Sequence, residues 1–399
     1  MRAWWDKTVT GPEWRVPLSD LLVDDELLSV GRDVLASGWW SMGPRVGELE
    51  ARFAESVGTE HAIAVSSGTA ALHLALLAVG CGPGDEVVLP SLNFVAAANA
   101  VVRAGASPVF CDISGPDDLN LDPADLDAAI GSRTKAVLVL HYAGYACDLA
   151  AVLEVAERRR VAVIEDAAHA PGGTWGDGRA LGTIGAVGCF SFFSNKNLPV
   201  GEGGMVVTAD NDLAAHVRSL RSHGMTTLTW QRHRGHASTY DVVEAGFNYR
   251  LDELRAAIAT LQLDRLEDAN AARRRHVQRY RTLLDGVAGV SFPFRGESTL
   301  ASSSHHLAVA VLPADVSRDA VRTRLQDERI QTSVHYPPIH GFSFYAQAAG
   351  LRSLPRTDEI VERIVTLPLF PHMRDEDVAL VADALERAVR AERGGVASV

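Results

Sequence analysis

The chain has 399 residues, of which 47% are hydrophobic and 22% charged, and its formal net charge is −12. This length predicts two domains around a substantial core, and the negative charge argues against a general nucleic-acid binder. The N-terminal residues lack a charged segment followed by an apolar one, and no apolar run reaches ~18 residues. We therefore expect neither a signal peptide nor a membrane span, and we expect a cytoplasmic protein.

The four cysteines are far apart in the sequence and form no C-x-x-C pair. Cysteines with this spacing are typical of reduced, buried side chains in a cytoplasmic protein. We expect no metal site built from them.

The N-terminal part of the chain predicts two helices. The pattern predicts an N-terminal segment followed by an amphipathic helix within residues 15–36, and a second helix at residues 46–56. A loop with Gly and Pro lies between them and carries Trp39 and Trp40.

From residue 62 to residue 188, strand-like and helical patterns alternate. The strand runs are almost wholly apolar, which is typical of a parallel sheet covered on both faces. This region predicts an α/β domain. The predicted strands are 62–65, 86–89, 107–110, 136–140 and 161–164, and the predicted helices are 69–79, 93–104, 123–130 and 148–159.

The C-terminal part of the chain predicts a smaller α+β domain. A helix through Arg221 and a basic loop precede a long helical region at 251–284, whose basic run RRRHVQRYR is interpreted as a solvated helix face. Shorter elements follow, and the last is a helix at 375–391. We divide the chain into a large domain, residues 1–250, and a long connecting helix with a small domain, residues 251–399.

Residues 186–208 contain one lysine, Lys196, between an apolar β-type run and a glycine-rich turn. A lysine at the end of an apolar strand is poorly solvated, so its pKa falls and the neutral amine becomes available for Schiff-base chemistry. For an isolated lysine, a solvated turn residue would be the better interpretation.

Two other segments carry polar groups at strand ends. In SSGTAAL, Gly68 and Thr69 open a helix, where backbone N–H groups favour an anion, and the Thr69 hydroxyl could both cap the helix and donate to that anion. By itself S-G-T is an ordinary N-cap. In EDAAHA, Asp166 follows an apolar strand, while Glu165 lies on the alternate face and is the weaker candidate. A helix N-cap is the alternative role of Asp166.

The order of the motifs is more specific than any one of them. SSGTAAL, PSLNFVAAANAV, EDAAHA, FSFFSNKN with GEGGM, GFNYRLDELRAAI and VHYPPIH together resemble the sugar-aminotransferase (DegT/StrS) family of fold-type I pyridoxal-phosphate enzymes. The resemblance runs from about Ser37 to about Pro371. It implies a large domain with a mainly parallel sheet flanked by helices, a smaller C-terminal α+β domain, and a homodimer with shared active sites.

The resemblance implies catalytic roles for two residues. Lys196 would hold pyridoxal 5′-phosphate as a Schiff base and move a proton between the substrate carbon and the cofactor. Asp166 would keep the ring nitrogen protonated. Phe94 matches an aromatic residue that stacks on the ring, although an aromatic residue at a helix start is otherwise most often part of the core. His169 would lie near the ring oxygen or serve a structural role.

The resemblance also implies contacts to the cofactor phosphate. Gly68, Thr69 and Ser191 match contacts made within one subunit. Asn248 matches a contact that the family supplies from the partner subunit, and it is the main reason to expect a dimer.

Substrate contacts are implied more weakly. His335 and Tyr336 lie in VHYPPIH, one residue shorter than the common family form HYPxPxH. Trp40 is interpreted as a substrate platform or a core plug. Arg232 and Arg234 would clamp a nucleotide diphosphate, or they are solvated loop charges.

The expected reaction is transfer of an amino group from glutamate or glutamine to a keto-sugar. By resemblance, the acceptor is a nucleotide-linked 3-keto or 4-keto deoxysugar, and the product serves an antibiotic, an O-antigen or a similar glycoconjugate. The alternatives are a keto-cyclitol or other free ketone, a family dehydratase, and a non-catalytic regulator. Relatives that become dehydratases carry His where this chain has Lys196, which favours transamination.

Overall fold

The computed structural model describes residues 14–226, 239–347 and 352–396. Its α-helices are α1 (Asp25–Ser37), α2 (Pro44–Val57), α3 (Gly68–Ala78), α4 (Ala96–Arg103), α5 (Pro123–Ala129), α6 (Leu149–Arg159), α7 (Asn211–Arg221), α8 (Glu253–Asp264), α9 (Leu266–Leu284), α10 (Glu297–Ser302), α11 (Arg318–Asp327), α12 (Ser343–Ala346), α13 (Pro355–Val361) and α14 (Asp375–Val396). Its β-strands are β1 (His61–Val65), β2 (Glu86–Pro90), β3 (Ser107–Cys111), β4 (Ile113–Gly115), β5 (Asp118–Leu121), β6 (Thr134–Leu140), β7 (Ala162–Asp166), β8 (Val187–Ser191), β9 (Gly204–Thr208), β10 (Ala308–Val311) and β11 (Ile364–Leu367).

A seven-stranded sheet in the order β1-β9-β8-β7-β6-β2-β3 organises the large domain. The pairs β8-β7, β7-β6, β6-β2 and β2-β3 are parallel, whereas β9 runs antiparallel to both β1 and β8. Apolar side chains on the two faces of the sheet enter two separate hydrophobic clusters. The predicted mainly parallel sheet is therefore confirmed, with one reversed strand that the apolar pattern did not reveal.

The observed elements differ from the predicted ones mainly at their ends. The helix predicted at 93–104 begins at Ala96. The helical region predicted at 251–284 is two helices, since the chain leaves the first after Asp264 and starts the second at Leu266. The first helix begins only at Asp25, because the side chain of Asp24 accepts a hydrogen bond from the Leu27 N–H and caps it.

The smaller C-terminal unit packs around the antiparallel pair β10-β11. Residues of α9, α11 and α14 share its hydrophobic core, and Val16 from the N-terminal segment joins them by bridging to Ile330. In α8, Ala256 and Ala259 instead pack with the core of the large domain. The domain boundary at residue 250 stays a prediction.

The parallel strands place three polar segments at one edge of the large sheet. Ser67 follows β1, Asp166 ends β7 and Lys196 follows β8. In open α/β sheets, ligand sites lie beyond the carboxyl ends of the strands, so this edge is where a site is expected. No helix within the described residues is both long enough and apolar enough to cross a membrane.

Candidate active site

The carboxyl edge of the sheet opens into a cavity of about 350 Å³. It brings together most of the residues that the sequence singled out. The predicted residues that line it are Gly68, Thr69, Phe94, Asp166, His169, Ser191, Lys196, His335 and Tyr336.

Lys196 lies in the turn between β8 and β9. Its backbone N–H donates to the carbonyl of Phe193 at 2.9 Å, which closes the turn and holds the side chain at the cavity. Burial lowers the pKa of the Lys196 amine to about 8, although the charge of Asp166 acts in the opposite direction. At pH 7 about a tenth of this amine is therefore uncharged and able to act as a nucleophile or a base.

Asp166 is the carboxylate that faces the cavity. Burial raises its pKa, and the hydrogen bond from the Ala168 N–H, at 3.2 Å, opposes that effect only in part. No described helix starts at Asp166, so it is not a helix N-cap. A buried carboxyl group of this kind is stabilised by a cation placed against it.

Glu165 faces away from the cavity, as predicted, and its side chain is fully buried. Hydrogen bonds from His141 and from backbone groups keep its pKa below the ordinary value despite burial. Both carboxylate oxygens accept such bonds, so Glu165 has a structural role in fixing the loop before β8. The donors are His141 Nε2 at 2.9 Å and the N–H groups of Gly182 at 2.8 Å, Ile184 at 2.7 Å and Gly185 at 2.6 Å.

The N-terminus of α3 forms a close-fitting wall of the cavity. Ser67 Oγ accepts a hydrogen bond from the Ala70 N–H at 3.1 Å, so Ser67 caps the helix. The prediction that Thr69 caps it is therefore wrong. A Cβ atom on Gly68 would lie 2.7 Å from the Cβ of Ser191, so only glycine fits there. The N–H groups of Gly68 and Thr69 precede the first intrahelical bonds and are available to an anion.

His169 and Tyr336 form a neutral pair in the cavity wall. The Ala143 N–H donates to His169 Nδ1 at 3.2 Å, so the ring proton resides on Nε2, which donates to the Tyr336 hydroxyl oxygen at 2.7 Å. Burial lowers the pKa of His169 and raises the pKa of Tyr336, which keeps both uncharged. The Tyr336 O–H is thus left to donate to another acceptor.

Phe94 and His335 border the same pair. The Phe94 ring is 55% exposed and its centroid lies 5.7 Å from that of Tyr336, so it is not a core residue. His335 Nδ1 lies 2.9 Å from Thr366 Oγ1. Burial, and then the nearby charge of Lys196, lowers the pKa of His335 to about 4, so its ring is neutral.

Two predicted residues, Trp40 and Asn248, do not line this cavity in their own chain. Trp40 is 59% exposed, which excludes a core plug, and its Nε1 donates to the Leu35 carbonyl at 3.3 Å. Asn248 is exposed on a bridge to Ser222. Arg232 and Arg234 lie outside the described residues.

Comparison with known proteins assigns the chain to a family. Residues 22–386 match the DegT/DnrJ/EryC1/StrS aminotransferase family over nearly the whole chain. The chain belongs to this family. Members of the DegT/DnrJ/EryC1/StrS family are pyridoxal-phosphate-dependent sugar aminotransferases of fold type I, and this chain is one of them.

Individual relatives agree with the family assignment. The spore coat polysaccharide biosynthesis protein SpsC of Bacillus subtilis (strain 168) is 40% identical over 380 residues, which cover 94% of this chain and 97% of SpsC. The aminotransferase TlmJ from Streptoalloteichus hindustanus is 38% identical, with a TM-score of 0.86 over 95% of this chain and 99% of TlmJ. DesV of S. venezuelae is 35% identical, with a TM-score of 0.86 over 94% of this chain and 98% of DesV.

The described residues fit the cofactor of this DegT/StrS aminotransferase. Pyridoxal phosphate needs an amine for covalent attachment, an acid for its ring nitrogen and an anion site for its phosphate. The cavity offers the weakly basic amine of Lys196, the buried carboxyl of Asp166, and the cradle between Gly68 and Ser191 that a Cβ atom would fill.

One buried residue beside the site was missed. Arg273 belongs to the basic run expected on a solvated face, but it is only 5% exposed, so that interpretation is wrong at this position. Its helical spacing from buried Asn270, Val277 and Tyr280 places it on the packed side of α9. The spacing could have indicated this, whereas the charge of the run suggested solvent.

Proposed function

We propose that this aminotransferase moves the amino group of glutamate or glutamine to a nucleotide-linked 3-keto or 4-keto deoxysugar and so makes an amino sugar. The observation that carries this proposal is the buried, weakly basic amine of Lys196 beside Asp166 in an open cavity. The name of SpsC, which refers to polysaccharide biosynthesis, supports a carbohydrate substrate.

When bound, pyridoxal phosphate supplies an electron sink that stabilises negative charge on the carbon next to the transferred nitrogen. In our proposal Lys196 would hold the cofactor covalently. Its amine, once free, would act as the base and acid that carries a proton to and from the substrate carbon. A pKa of about 8 suits both tasks, because the amine accepts and releases a proton near neutral pH.

Other residues orient the cofactor. We assign Asp166 to the ring nitrogen, where a protonated ring would place a cation against this buried carboxyl. Gly68, Thr69 and Ser191 would hold the phosphate at the N-terminus of α3. Phe94 would lie against the ring face.

The pair His169–Tyr336 would lie beside the oxygen on the cofactor ring. His169 already donates to Tyr336, so the free O–H of Tyr336 is the group left to donate into the cavity. His335, beside it, would line the substrate side with a neutral ring.

The assignment of Asn248 needs a second copy of the chain. Asn248 is exposed and lies outside the cavity of its own chain, which supports a homodimer in which it reaches the phosphate of the partner's site. Trp40 is exposed as well and would contact the substrate in the active site. Arg232 and Arg234 are assigned to the nucleotide diphosphate.

Product analysis tests the reaction. Purified enzyme is incubated with nucleotide-linked 3-keto and 4-keto deoxysugars and with scyllo-inosose, each with glutamate and with glutamine, and the products are identified by mass spectrometry. We expect an amino sugar nucleotide. Amination of scyllo-inosose alone would replace the acceptor by a keto-cyclitol, and loss of water without amination would indicate a dehydratase.

Covalent labelling tests the catalytic assignment separately. Borohydride treatment of the holoenzyme should attach the cofactor to Lys196, and peptide mass analysis reads that attachment directly. An unmodified Lys196, together with no turnover of any ketone, would favour a non-catalytic regulator.

A further inference from the structure

A second cavity, of about 330 Å³, adjoins the first at the turn that carries Lys196. Asn195 and Lys196 line both cavities. The second cavity continues between this turn, α8 and α9, and reaches Arg273. A molecule bound there would be next to the amine that the proposed reaction uses.

Within the part of the chain that the structure describes, Arg273 is a buried charge without a counter-ion. Its side chain makes no hydrogen bond or ion pair with the rest of the described chain, and its Nε and Nη1 atoms are buried and unsatisfied. Burial lowers the pKa of Arg273 to about 10, so the guanidinium still carries its charge at neutral pH. Because burying an unpaired charge is costly, such a residue is expected to have an anionic partner in the working protein.

Among the described residues, no acid fills that role. Arg265, the other arginine of the cavity, already has a partner in Asp24 at 2.9 Å. Asp20 and Asp268 also line the cavity, but both are exposed and neither forms an ion pair with Arg273. The neutral side chains of the wall can donate hydrogen bonds and would not repel an anion.

We propose that Arg273 binds an anionic group of a small-molecule substrate in this second cavity. The group is a carboxylate of the amino donor or a phosphate of the sugar substrate, since a guanidinium pairs with either through parallel hydrogen bonds. The choice between these two sources rests on the proposed function, but the existence of an anion site at Arg273 does not.

Equilibrium binding of unreactive anions tests the site. Glutarate, which has the two carboxylates of glutamate but no amine, and inorganic pyrophosphate are titrated into the holoenzyme by calorimetry. Wild type should bind at least one of them. Arg273→Met should weaken that binding by about thirtyfold or more, as expected for loss of a buried charged partner. Arg273→Lys, which keeps the charge, should weaken it less.

The matched control is Arg275→Met, which makes the same change at an exposed position of the same helix. It should bind as wild type does. Folding is checked by thermal unfolding and cofactor absorbance, and Arg273→Met should be at least as stable as wild type because it removes an unpaired buried charge.

The outcomes separate clearly. Loss of glutarate binding assigns the site to the donor carboxylate, and loss of pyrophosphate binding assigns it to the sugar phosphate. Unchanged binding in Arg273→Met, or no binding by wild type, overturns the site. So does misfolding of both Arg273 variants while Arg275→Met folds, because Arg273 would then be structural. These anions do not react, so the result does not depend on which ketone the enzyme aminates.

Discussion

At the scale of single residues, the chemistry depends on the environment of one amine. Lys196 is enclosed by the cavity walls, and burial is the first cause of its lowered pKa. Asp166 stabilises the protonated amine and therefore opposes this effect. The balance of these two influences sets the pH at which the amine becomes a nucleophile.

The rate at which the apoenzyme captures pyridoxal phosphate covalently should rise with pH with a midpoint near 8, where the Lys196 amine loses its proton. Asp166→Asn should move the midpoint to lower pH, since a negative charge that favours the ammonium form is removed. The capture rate is followed by absorbance at saturating cofactor across a pH series, which gives the midpoint for wild type and for Asp166→Asn. A wild-type midpoint near that of a solvated lysine, about 10.4, would contradict the buried environment.

Lys196→Ala should remain a folded dimer that binds the cofactor without a covalent bond and has no turnover. The side chain removed is a nucleophile and proton carrier, while the other proposed cofactor contacts remain. Ultrafiltration measures bound cofactor, borohydride followed by mass spectrometry measures attachment, and product formation measures turnover. Residual turnover above about one-thousandth of wild type would assign the proton transfer to another group.

At the scale of one element, the start of α3 shows how a helix end becomes an anion cradle. Ser67 satisfies one N–H with its side chain, and Gly68 lies so close to Ser191 that the two segments leave no room for a Cβ atom. The helix thus presents backbone donors and little side-chain bulk to the cavity.

Gly68→Ala should weaken cofactor binding while the fold persists. The added Cβ meets the Cβ of Ser191 at 2.7 Å, and overpacking of this kind costs about 1–3 kcal/mol, or roughly a five- to 150-fold higher cofactor Kd. Gly47→Ala in α2 is the control, because its Cβ meets nothing within 4 Å and alanine favours a helix. Equilibrium dialysis measures the cofactor Kd of both variants. Equal Kd values would show that the cradle between Gly68 and Ser191 adapts to the added Cβ atom.

At the scale of the whole molecule, one chain leaves its proposed site incomplete. Asn248, assigned to the cofactor phosphate, is exposed and does not line the cavity of its own chain. Trp40, in the loop between α1 and α2, is exposed as well. A two-fold symmetric pair would place the same residues of each copy against the site of the other.

Mixing inactive Lys196→Ala with a weakened Asn248→Ala variant should therefore restore activity. In a hybrid dimer with shared sites, one site carries both changes and the other carries neither. Random exchange makes about half of the dimers hybrid, so up to about a quarter of sites regain full activity. Activity is measured after denaturant-assisted subunit exchange. A mixture no more active than the average of its two components would mean that Asn248 acts within its own chain.

Local patterns determined much of this protein from its sequence alone. Apolar runs and their spacing predicted the alternation of strands and helices, because side-chain periodicity is a local property of each element. The position of Lys196 and Asp166 at strand ends indicated one edge of the sheet, since parallel strands end together. The order of short motifs was sufficient to indicate the family and its cofactor.

Only the tertiary structure decided features that depend on contacts between distant segments. The pairing of β9 in reverse direction, the hydrogen bond from His169 to Tyr336, and the cap at Ser67 rather than Thr69 each depend on geometry that no local pattern specifies. Arg273 is the clearest case, since its charge predicts solvent while the packing of α9 buries it. Burial is set by what the rest of the chain places around a residue, and that is known only once the chain has folded.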